Sequence, residues 1–419
     1  MAVPEQRDVL VIGGGPAGAA TAIRAATGGA SVTVFEKGRP GRDKVCGDGL
    51  TPRAVRALDA LDVGLEDAHR IDGLRMVAND TTRQMEWPGI APFPSHGAVW
   101  PRRRLDERLM DLAVKAGAEV LWGHDAVPEV DEPLPRRSPR ATGVVSTGPD
   151  GVERTWRAPL VVLAAGAPGE AARRLGAGRR DDEPFGLAIR TYAESPRHAE
   201  RYLEACLTLR DAAGTPVPGY GWIFPAGDGT VNIGVGALST MKGFKHLNLN
   251  RLQESYRSLV GDEWQLGPDL ERPRAWRLPM STQHRSGPGW VAVGDAAGLI
   301  NPMNGEGIDY ALESGTLAAD LFLEDPLTAP SRYDHLVGER FDAFLRTGRR
   351  FSFLIGHPWI LRNGLRAAVG TQAVAEITLQ VMGNLVDGDT PGAGGRVMRA
   401  ADRVLAAADP VLRRTRATA

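Results

Sequence analysis

The sequence predicts an α/β fold in which a parallel sheet, built from separated segments, is interrupted by an antiparallel sheet and followed by helices. A short apolar strand leads into a glycine-rich turn and an alanine-rich helix near the start of the chain, and similar α/β segments recur as far as Asp325. Short runs of alternating apolar and polar residues lie between these segments. Alternation with a period of two is typical of half-buried strands, whereas strand, turn and helix within about 30 residues match one βαβ unit.

The first α/β unit contains a dinucleotide-binding motif. The run DVLVI is followed by GGGPAG, a helix and the second strand VTVFE, so that Gly13, Gly15 and Gly18 form GxGxxG between strand and helix. In this motif the first glycine makes the turn, the second lets the backbone approach a pyrophosphate, and the third lets helix and strand pack closely. Glu36 ends the second strand, where a carboxylate accepts hydrogen bonds from a ribose. We therefore predict a Rossmann-like dinucleotide site.

The later segments predict how the chain is divided. LDERLMDLAVKAGAEVLWG indicates a helix and a strand, ERTWRAPLVVLAAG a pair of strands, and WVAVGDAAGLINPMNGEGIDYALESGTLAADLF a strand, a loop and a long helix. We predict a discontinuous nucleotide-binding domain of residues 1–73, 100–184 and 280–325. Alternating runs such as LRMVAND and GTVNIGVGAL predict an inserted antiparallel β-sheet domain of residues 74–99 and 185–279. Residues 326–419 are expected to be helical.

Composition and charge limit the function classes. The 50 basic and 51 acidic residues give a net charge of −1, which argues against a nucleic-acid partner. The two cysteines, Cys46 and Cys206, are too few for a disulfide framework and show no metal-ligand spacing, so we expect no metal and a reducing, cytoplasmic location. No apolar stretch reaches the roughly 20 residues that a membrane-spanning helix needs.

A second carboxylate motif distinguishes FAD from NAD as the expected cofactor. An apolar strand ends at Gly294 and Asp295, and a loop containing proline and glycine leads to a helix that starts between Gly305 and Ile308. Asp295 suits the ribityl hydroxyls, and a helix N-terminus suits negative charge on a flavin ring, so we expect FAD. The alternative is that Asp295 or Asn304 merely caps the helix.

These paired motifs resemble the flavoproteins related to aromatic hydroxylases, and three segments are similar to the geranylgeranyl reductase family: DKVCGDGLTPRAV, GYGWIFPAGDGTVNIGVG and GDAAGLINPMNGEGIDYALESG. NIGVGALST and NPMNGEGIDY are most similar to its actinobacterial branch, which reduces the isoprenoid tail of menaquinone. The resemblance implies a hydroxylase-like fold and FAD contacts from Gly13, Gly15, Ala17, Gly18, Glu36, Cys46, Gly47, Gly49, Arg102, the backbone of Val127, Asp295, Gly307 and Ile308.

The resemblance implies a prenyl lipid substrate, either menaquinone or a geranylgeranyl lipid or diphosphate. It also implies an external electron donor: a separate reductase, a ferredoxin or NAD(P)H. The sequence departs from related flavoproteins at one point, because Ala165 precedes Gly166 where they carry Asp-Gly. This departure weakens the prediction that a nicotinamide cofactor docks as in the hydroxylases.

Reduction of an isolated alkene needs a proton donor as well as hydride from the reduced flavin. A free cysteine has a pKa of ~8.5, so Cys46 is a candidate for the acid or for a residue that positions it. Tyr220 and a water molecule are alternative acids, and Cys46 alternatively fills a tight turn as a small residue. Tyr220, Trp222 and Phe224 alternate along a predicted strand and share one face, so with Pro225 they are predicted to bind substrate. The alternative for the aromatic residues is an ordinary sheet core.

Residues 351–386 are apolar with arginines nearby, which predicts either contact with the cytoplasmic face of the inner membrane or helices packed on the FAD domain. Two other classes of function stay open. A monooxygenase or halogenase acting on an aromatic or polyketide substrate shares the first and last motifs, although no lysine in residues 76–99 offers itself for halogenase chemistry. A prenyl-binding relative without flavin is disfavoured by the intact GxGxxG, Glu36 and Asp295.

Overall fold

The computed structural model describes residues 4–131, 139–167, 169–211, 214, 216–241, 243–282, 284–355, 358–386 and 393–414. The strands are β1 (Glu5–Gln6), β2 (Val9–Ile12), β3 (Val32–Glu36), β4 (Gly49–Leu50), β5 (His69–Ile71), β6 (Gly73–Ala78), β7 (Thr81–Glu86), β8 (Gly97–Val99), β9 (Glu119–Trp122), β10 (Asp125–Val130), β11 (Ala141–Thr147), β12 (Glu153–Arg157), β13 (Leu160–Leu163), β14 (Phe185–Glu194), β15 (Tyr202–Cys206), β16 (Gly219–Pro225), β17 (Thr230–Leu238), β18 (Arg274–Pro279), β19 (Ser286–Gly287) and β20 (Trp290–Ala292). The helices are α1 (Pro16–Thr27), α2 (Pro52–Asp59), α3 (Arg102–Lys115), α4 (Glu170–Arg174), α5 (Leu249–Trp264), α6 (Ile308–Glu324), α7 (Ala329–Val337), α8 (Ala343–Ile355), α9 (Pro358–Ala368), α10 (Gln372–Met382) and α11 (Ala393–Arg414).

A six-stranded sheet forms the first layer, in the order β19-β20-β13-β2-β3-β9, and every neighbouring pair except β19–β20 is parallel. The residues of β2, β3 and β13 are all buried, as expected for parallel strands covered on both faces. The sheet is assembled from segments far apart in the chain, and this agrees with the predicted α/β architecture. The exact domain boundaries given above stay predictions.

A seven-stranded sheet forms the second layer, in the order β18-β14-β17-β16-β15-β6-β7. We predicted an antiparallel sheet, and this is wrong for one pair, because β15 and β6 run parallel. A long part of the nucleotide-binding layer separates these two strands in the chain, and such crossover connections are what parallel pairing requires. Strand β8 was expected in this sheet but pairs with β4 and β5 in a separate three-stranded sheet.

Helix α5 lies within the region predicted as strands. Leu252, Tyr256, Val260 and Trp264 recur at every fourth position and are buried against the second sheet. This spacing is the helical signal that the alternating runs on either side obscured.

The described part of the C-terminal region is mainly helical, as predicted, and contains α7 to α11 and a π-helical turn at Gly338–Asp342. Across the described ranges, no helix is both long enough and apolar enough to span a bilayer.

Candidate active site

Of the three glycines of the GxGxxG motif, one has open space beside it. A Cβ atom on Gly18 would overlap the carbonyl oxygen of Gly13, and one on Gly13 would overlap the carbonyl oxygen of Ala164. A Cβ atom on Gly15 would meet no heavy atom within 4 Å. Gly13 and Gly18 therefore serve close packing, whereas Gly15 faces open space at the N-terminus of α1, where a pyrophosphate fits.

Glu36 is buried beside this turn and already has several partners. It accepts hydrogen bonds from the backbone N–H groups of Gly14 (2.9 Å) and Gly38 (2.7 Å), and it pairs with Arg42 (3.0 Å). Burial favours the neutral acid, but Arg42 and the two N–H groups outweigh it and lower the pKa of Glu36. Glu36 is therefore a carboxylate at neutral pH, as an acceptor for ribose hydroxyls must be. The sequence prediction missed Arg42.

A cavity of about 500 Å³ connects residues predicted for the cofactor with residues predicted for the substrate. On the cofactor side it is lined by Pro16, Cys46, Gly47, Arg102, Asp295, Gly307 and Ile308. It continues past Tyr220, Trp222 and Phe224 to apolar side chains of the C-terminal helices, among them Phe351, Ile355, Ile360, Val381, Met382 and Leu405. The predicted sites thus share one mainly apolar space.

The three aromatic residues of β16 lie on one face, as predicted. The ring centroids of Tyr220 and Trp222 are 5.8 Å apart, and those of Trp222 and Phe224 are 6.2 Å apart. The indole of Trp222 lies over Gly234, where a Cβ atom would overlap the ring. The neighbouring strand therefore has to present a glycine for Trp222 to occupy the cavity wall.

Several of the predicted residues lie away from the cavity wall. The three glycines of the GxGxxG motif, Ala17, Glu36 and Gly49 are not part of its lining, and neither are Val127 and Pro225. Val127 belongs to β10 and pairs with Val145 in the four-stranded sheet β1-β12-β11-β10. Pro225 is buried at the end of β16 opposite Val231.

Gly47 and Gly49 pack against the aromatic strand. A Cβ atom on Gly47 would lie 3.1 Å from the Phe224 ring and 3.3 Å from the Trp222 indole nitrogen, and one on Gly49 would lie 3.0 Å from Phe224. We predicted that these glycines let the chain approach a flavin. The structure adds that they let residues 46–49, the cysteine segment, lie against the aromatic rings of β16, the aromatic face.

Cys46 borders the cavity as a free thiol. Its Sγ atom accepts a hydrogen bond from the backbone N–H of Asp48 at 3.3 Å. Burial raises the pKa of the Cys46 thiol, so the group keeps its proton at neutral pH. Cys206 is also free but is buried in β15. In the part of the chain that the structure describes, no three His, Cys, Asp or Glu side chains are grouped to hold a metal ion.

Tyr220, the alternative acid, already uses its hydroxyl proton in a hydrogen bond. The hydroxyl donates to the backbone carbonyl of Asn304 at 2.5 Å, and burial raises the pKa of Tyr220. The proton therefore points at the protein backbone, and Cys46 is the better placed of the two predicted donors.

Asp295 follows β20 in a 3₁₀ turn and pairs with Lys44, Nζ to Oδ2, at 3.3 Å. The N-cap residue of α6 is Gly307, and no side chain caps that helix end. Capping of α6 by Asp295 or Asn304, the alternative considered above, is therefore wrong. Lys44 also lines the cavity. It lies outside residues 76–99, the range in which a halogenase lysine was sought from the sequence, and was therefore not considered.

A buried polar network behind Cys46 was not predicted. Asp48 is fully buried. Its carboxylate accepts hydrogen bonds from the Tyr192 hydroxyl, from Asn232 Nδ2 (2.8 Å) and from the backbone N–H of Arg102 (3.2 Å). Burial raises the pKa of Asp48 to about 6 in spite of these donors. The sequence feature that could have revealed this network is Asn232, a polar residue in the otherwise apolar and glycine-rich run TVNIGVG.

A second buried cluster links the loop before α6 to the C-terminal region. Glu306 accepts a hydrogen bond from the Thr51 hydroxyl at 2.6 Å. Asn384 Nδ2 donates to Glu306 at 3.1 Å and to Asp309 at 2.6 Å. Burial and the neighbouring Asp309 carboxylate raise the pKa of Glu306, which favours its neutral form.

Comparison with known proteins identifies the family. A family model described as the FAD binding domain matches residues 6–322. The chain is 38% identical to menaquinone reductase from Mycobacterium tuberculosis, over 96% of this chain and 99% of that protein. It is 31% identical to digeranylgeranylglycerophospholipid reductase 1 from Methanopyrus kandleri, over 76% of this chain and 80% of that protein.

Solved structures share the fold. A geranylgeranyl bacteriochlorophyll reductase-like protein from Thermoplasma acidophilum superposes with a TM-score of 0.77 at 23% identity, covering 95% of this chain and all of that one. The flavin-dependent brominase Bmp2 superposes with a TM-score of 0.71 at 17% identity, covering 94% of this chain and 98% of that one. The predicted hydroxylase-like flavoprotein fold and the predicted cofactor, FAD, are confirmed. The chain therefore belongs to the geranylgeranyl reductase family of FAD-dependent oxidoreductases.

Proposed function

We propose that this chain is an FAD-dependent reductase that saturates isolated C=C bonds of a polyprenyl chain, and specifically of the isoprenoid tail of menaquinone. The apolar cavity that runs from Cys46 past the aromatic face to the C-terminal helices carries this proposal. Identity of 38% along almost the whole length of a menaquinone reductase supports the choice of substrate.

An isolated alkene is electron-rich, so its saturation requires a proton on one carbon together with hydride on the other. Bound FAD in its reduced form supplies the hydride. Cys46 holds a proton at the cavity wall, and the burial that raises its pKa keeps that proton in place until an alkene lies against the thiol. We propose Cys46 as the proton donor.

The aromatic face keeps the reacting alkene dry. Trp222 and Phe224 lie against the cysteine segment, and the Tyr220 hydroxyl is turned to the backbone of Asn304. The face therefore offers rings rather than polar groups to the substrate. Water at this point would add to a carbocation-like transition state and give an alcohol, so its exclusion favours reduction.

We propose that the far end of the cavity meets a membrane surface. Ile360 lines the cavity from α9, and the adjacent Trp359 is 68% exposed on the same helix, which ends near the exposed basic Arg366. An exposed tryptophan and a basic residue about two turns further along the same helix suit a lipid interface. Residues 356 and 357, within the segment predicted to touch the membrane, lie outside the described residues.

Vesicle flotation tests this location with a matched pair of variants. Trp359→Asp is expected to reduce binding to anionic vesicles severalfold. Leu327→Asp serves as the control, because Leu327 is 91% exposed and lies between α6 and α7, away from the cavity lining. Equal flotation of the two variants would remove α9 from the proposal.

We propose that a separate reductase, a ferredoxin or NAD(P)H supplies the electrons, and we favour a protein donor over NAD(P)H acting alone. Ala165, which stands before Gly166, has no carboxylate for a nicotinamide ligand. We therefore expect anaerobic NADPH alone to bleach the flavin slowly and a protein donor to bleach it quickly.

Mass spectrometry tests the reaction itself. Chemically reduced, FAD-loaded protein is incubated without oxygen with menaquinone, and a gain of two hydrogen atoms per saturated bond is expected. The monooxygenase alternative predicts substrate-dependent oxygen uptake, and the halogenase alternative predicts halide incorporation. Lys44 does not favour the latter, because its ammonium group is paired with Asp295. Oxygen uptake or halide incorporation without any reduced product would overturn the proposed function.

A further inference from the structure

Asp48 has a backbone conformation that suits glycine. Its φ angle is +64°, in the left-handed region that L-residues with side chains rarely adopt. Its neighbours Cys46 and Gly47 line the cavity. Strained residues persist where surrounding contacts hold them, and they are concentrated at functional sites. We therefore expect the Asp48 side chain to make functional contacts that glycine could not make at this position.

The Asp48 carboxylate and the Asn232 amide together form a clamp. One N–H of the Asn232 amide reaches the Asp48 carboxylate and the other the carbonyl of Cys46, both at 2.8 Å, while its oxygen accepts from the Trp222 indole at 2.9 Å. Asn232 and Tyr192 are directly opposite each other on β17 and β14, so both side chains that donate to Asp48 come from the second sheet. The clamp joins the cysteine segment to the aromatic face.

We propose that Asp48 is a positioning residue for alkene reduction: with Asn232 it fixes Cys46 against the aromatic face, and its negative charge adds to burial in favouring the thiol form of Cys46. The role of Asp48 in alkene reduction rests on the proposed function, whereas its effect on the Cys46 thiol is independent of it.

The charges around this pair act in opposite directions. The Arg102 guanidinium lowers the pKa of the Cys46 thiol, and the ionised Asp48 carboxylate raises it. Arg102 is itself paired with Asp106 at 2.8 Å, and Arg190, which also faces Asp48, is paired with Asp43 at 2.6 Å. Tyr192 and Tyr220 have raised pKa values and add no charge near neutral pH. Without the Asp48 charge, the effect of the Arg102 guanidinium on the Cys46 thiol would no longer be opposed by this carboxylate.

The test measures the pH dependence of Cys46 alkylation in a Cys206→Ala background, where one thiol remains. Asp48→Asn keeps the shape and removes the charge, and we expect its alkylation profile to move to lower pH, with at least a threefold faster rate at pH 8. Asp48→Gly, which fits a positive φ without strain, is the second variant and is expected to shift the profile in the same direction. Profiles that coincide with that of the parent would overturn the electrostatic role.

Kinetics test the positioning role. Asn232→Ala is expected to lower kcat for alkene reduction about tenfold at every pH, with FAD content and KM little changed. Asp48→Asn is expected to shift the alkaline limb of the kcat profile in parallel with the alkylation profile. Gln253→Ala is the control, because Gln253 is a buried amide that donates to the backbone of the same strand at Ile233 (3.2 Å) without touching the clamp.

The outcomes separate the two proposals. An Asn232→Ala variant with the kinetics of the Gln253→Ala control would overturn the clamp. A parent protein that reduces no prenyl chain would overturn the proposed function, while the alkylation profiles still decide whether Asp48 controls Cys46.

Discussion

Gly15→Ala separates cofactor binding from folding more sharply than any other change in the glycine turn. Gly15 has φ −81° and ψ −175°, an extended conformation that alanine adopts without strain, and a Cβ atom there meets nothing within 4 Å. Substitution of glycine by alanine at a compatible position changes stability by about 0.4–1 kcal/mol in the favourable direction. Gly15 is also the N-cap residue of α1, where alanine is less favourable than glycine, so the two effects offset and the apoprotein is expected to unfold close to the temperature of the parent.

If Gly15 contacts FAD as predicted, the same Cβ atom would occupy the space through which the pyrophosphate approaches the N-terminus of α1. Loss of one hydrogen bond to a charged group costs about 1.5–3 kcal/mol. This corresponds to roughly a 10- to 150-fold rise in the Kd for FAD. Titration of apoprotein with FAD, followed by flavin fluorescence, measures the Kd, and thermal unfolding of the apoprotein measures stability.

Two further variants complete the experiment. In Gly18→Ala the new Cβ would overlap the Gly13 carbonyl oxygen, so α1 must move away from β2, and we expect destabilisation by about 3 kcal/mol or more. Gly169→Ala is the matched control, because Gly169 is the N-cap residue of α4 and is equally open. An unchanged Kd in Gly15→Ala, or a loss of stability equal to that of Gly18→Ala, would refute this reasoning.

Three other expected outcomes follow from the cavity wall. Cys46→Ala should keep its FAD and lose at least tenfold in alkene reduction; full turnover in a flavin-loaded variant would exclude Cys46 as the acid. Trp222→Ala should lower kcat/KM for a long prenyl chain about tenfold more than for a short one, since a long chain depends on a continuous apolar wall, and equal losses would contradict the channel. For Asp48, folding raises the pKa from 3.8 to about 6, so burying the carboxylate costs about 3 kcal/mol above pH 6, and the cost disappears as the pH falls to about 4. Denaturant unfolding across this range should show the parent gaining stability relative to Asp48→Asn as the pH falls, and parallel curves would show that Asp48 titrates normally.

Local parts of the site could be predicted from the sequence. Gly13, Gly15 and Gly18 follow a strand and start a helix, and Glu36 ends the next strand, so neighbours in sequence define the cofactor turn. The shared face of Tyr220 and its aromatic neighbours likewise follows from the period of two in a strand.

Contacts between distant segments could not be predicted. Asn232 meets the cysteine segment only because β17 lies beside β16 and β14, and the order of strands is not written in any one of them. The parallel pairing of β15 with β6 and the contact of Lys44 with Asp295 depend on tertiary packing in the same way. Helix α5 was missed for a different reason, because its fourfold spacing lies between two strongly alternating regions.

The position of the cavity's far end in the chain has a consequence for biosynthesis. The glycine turn and Glu36 leave the ribosome before the apolar wall formed by α8 to α11, which starts at Ala343. A nascent chain that has folded its nucleotide-binding strands still exposes the aromatic face of β16 to water until those helices arrive. Exposed apolar surface of this kind promotes aggregation. Early binding of FAD would stabilise the part of the chain that is already folded, while the apolar cavity closes only after α8 to α11 have been made.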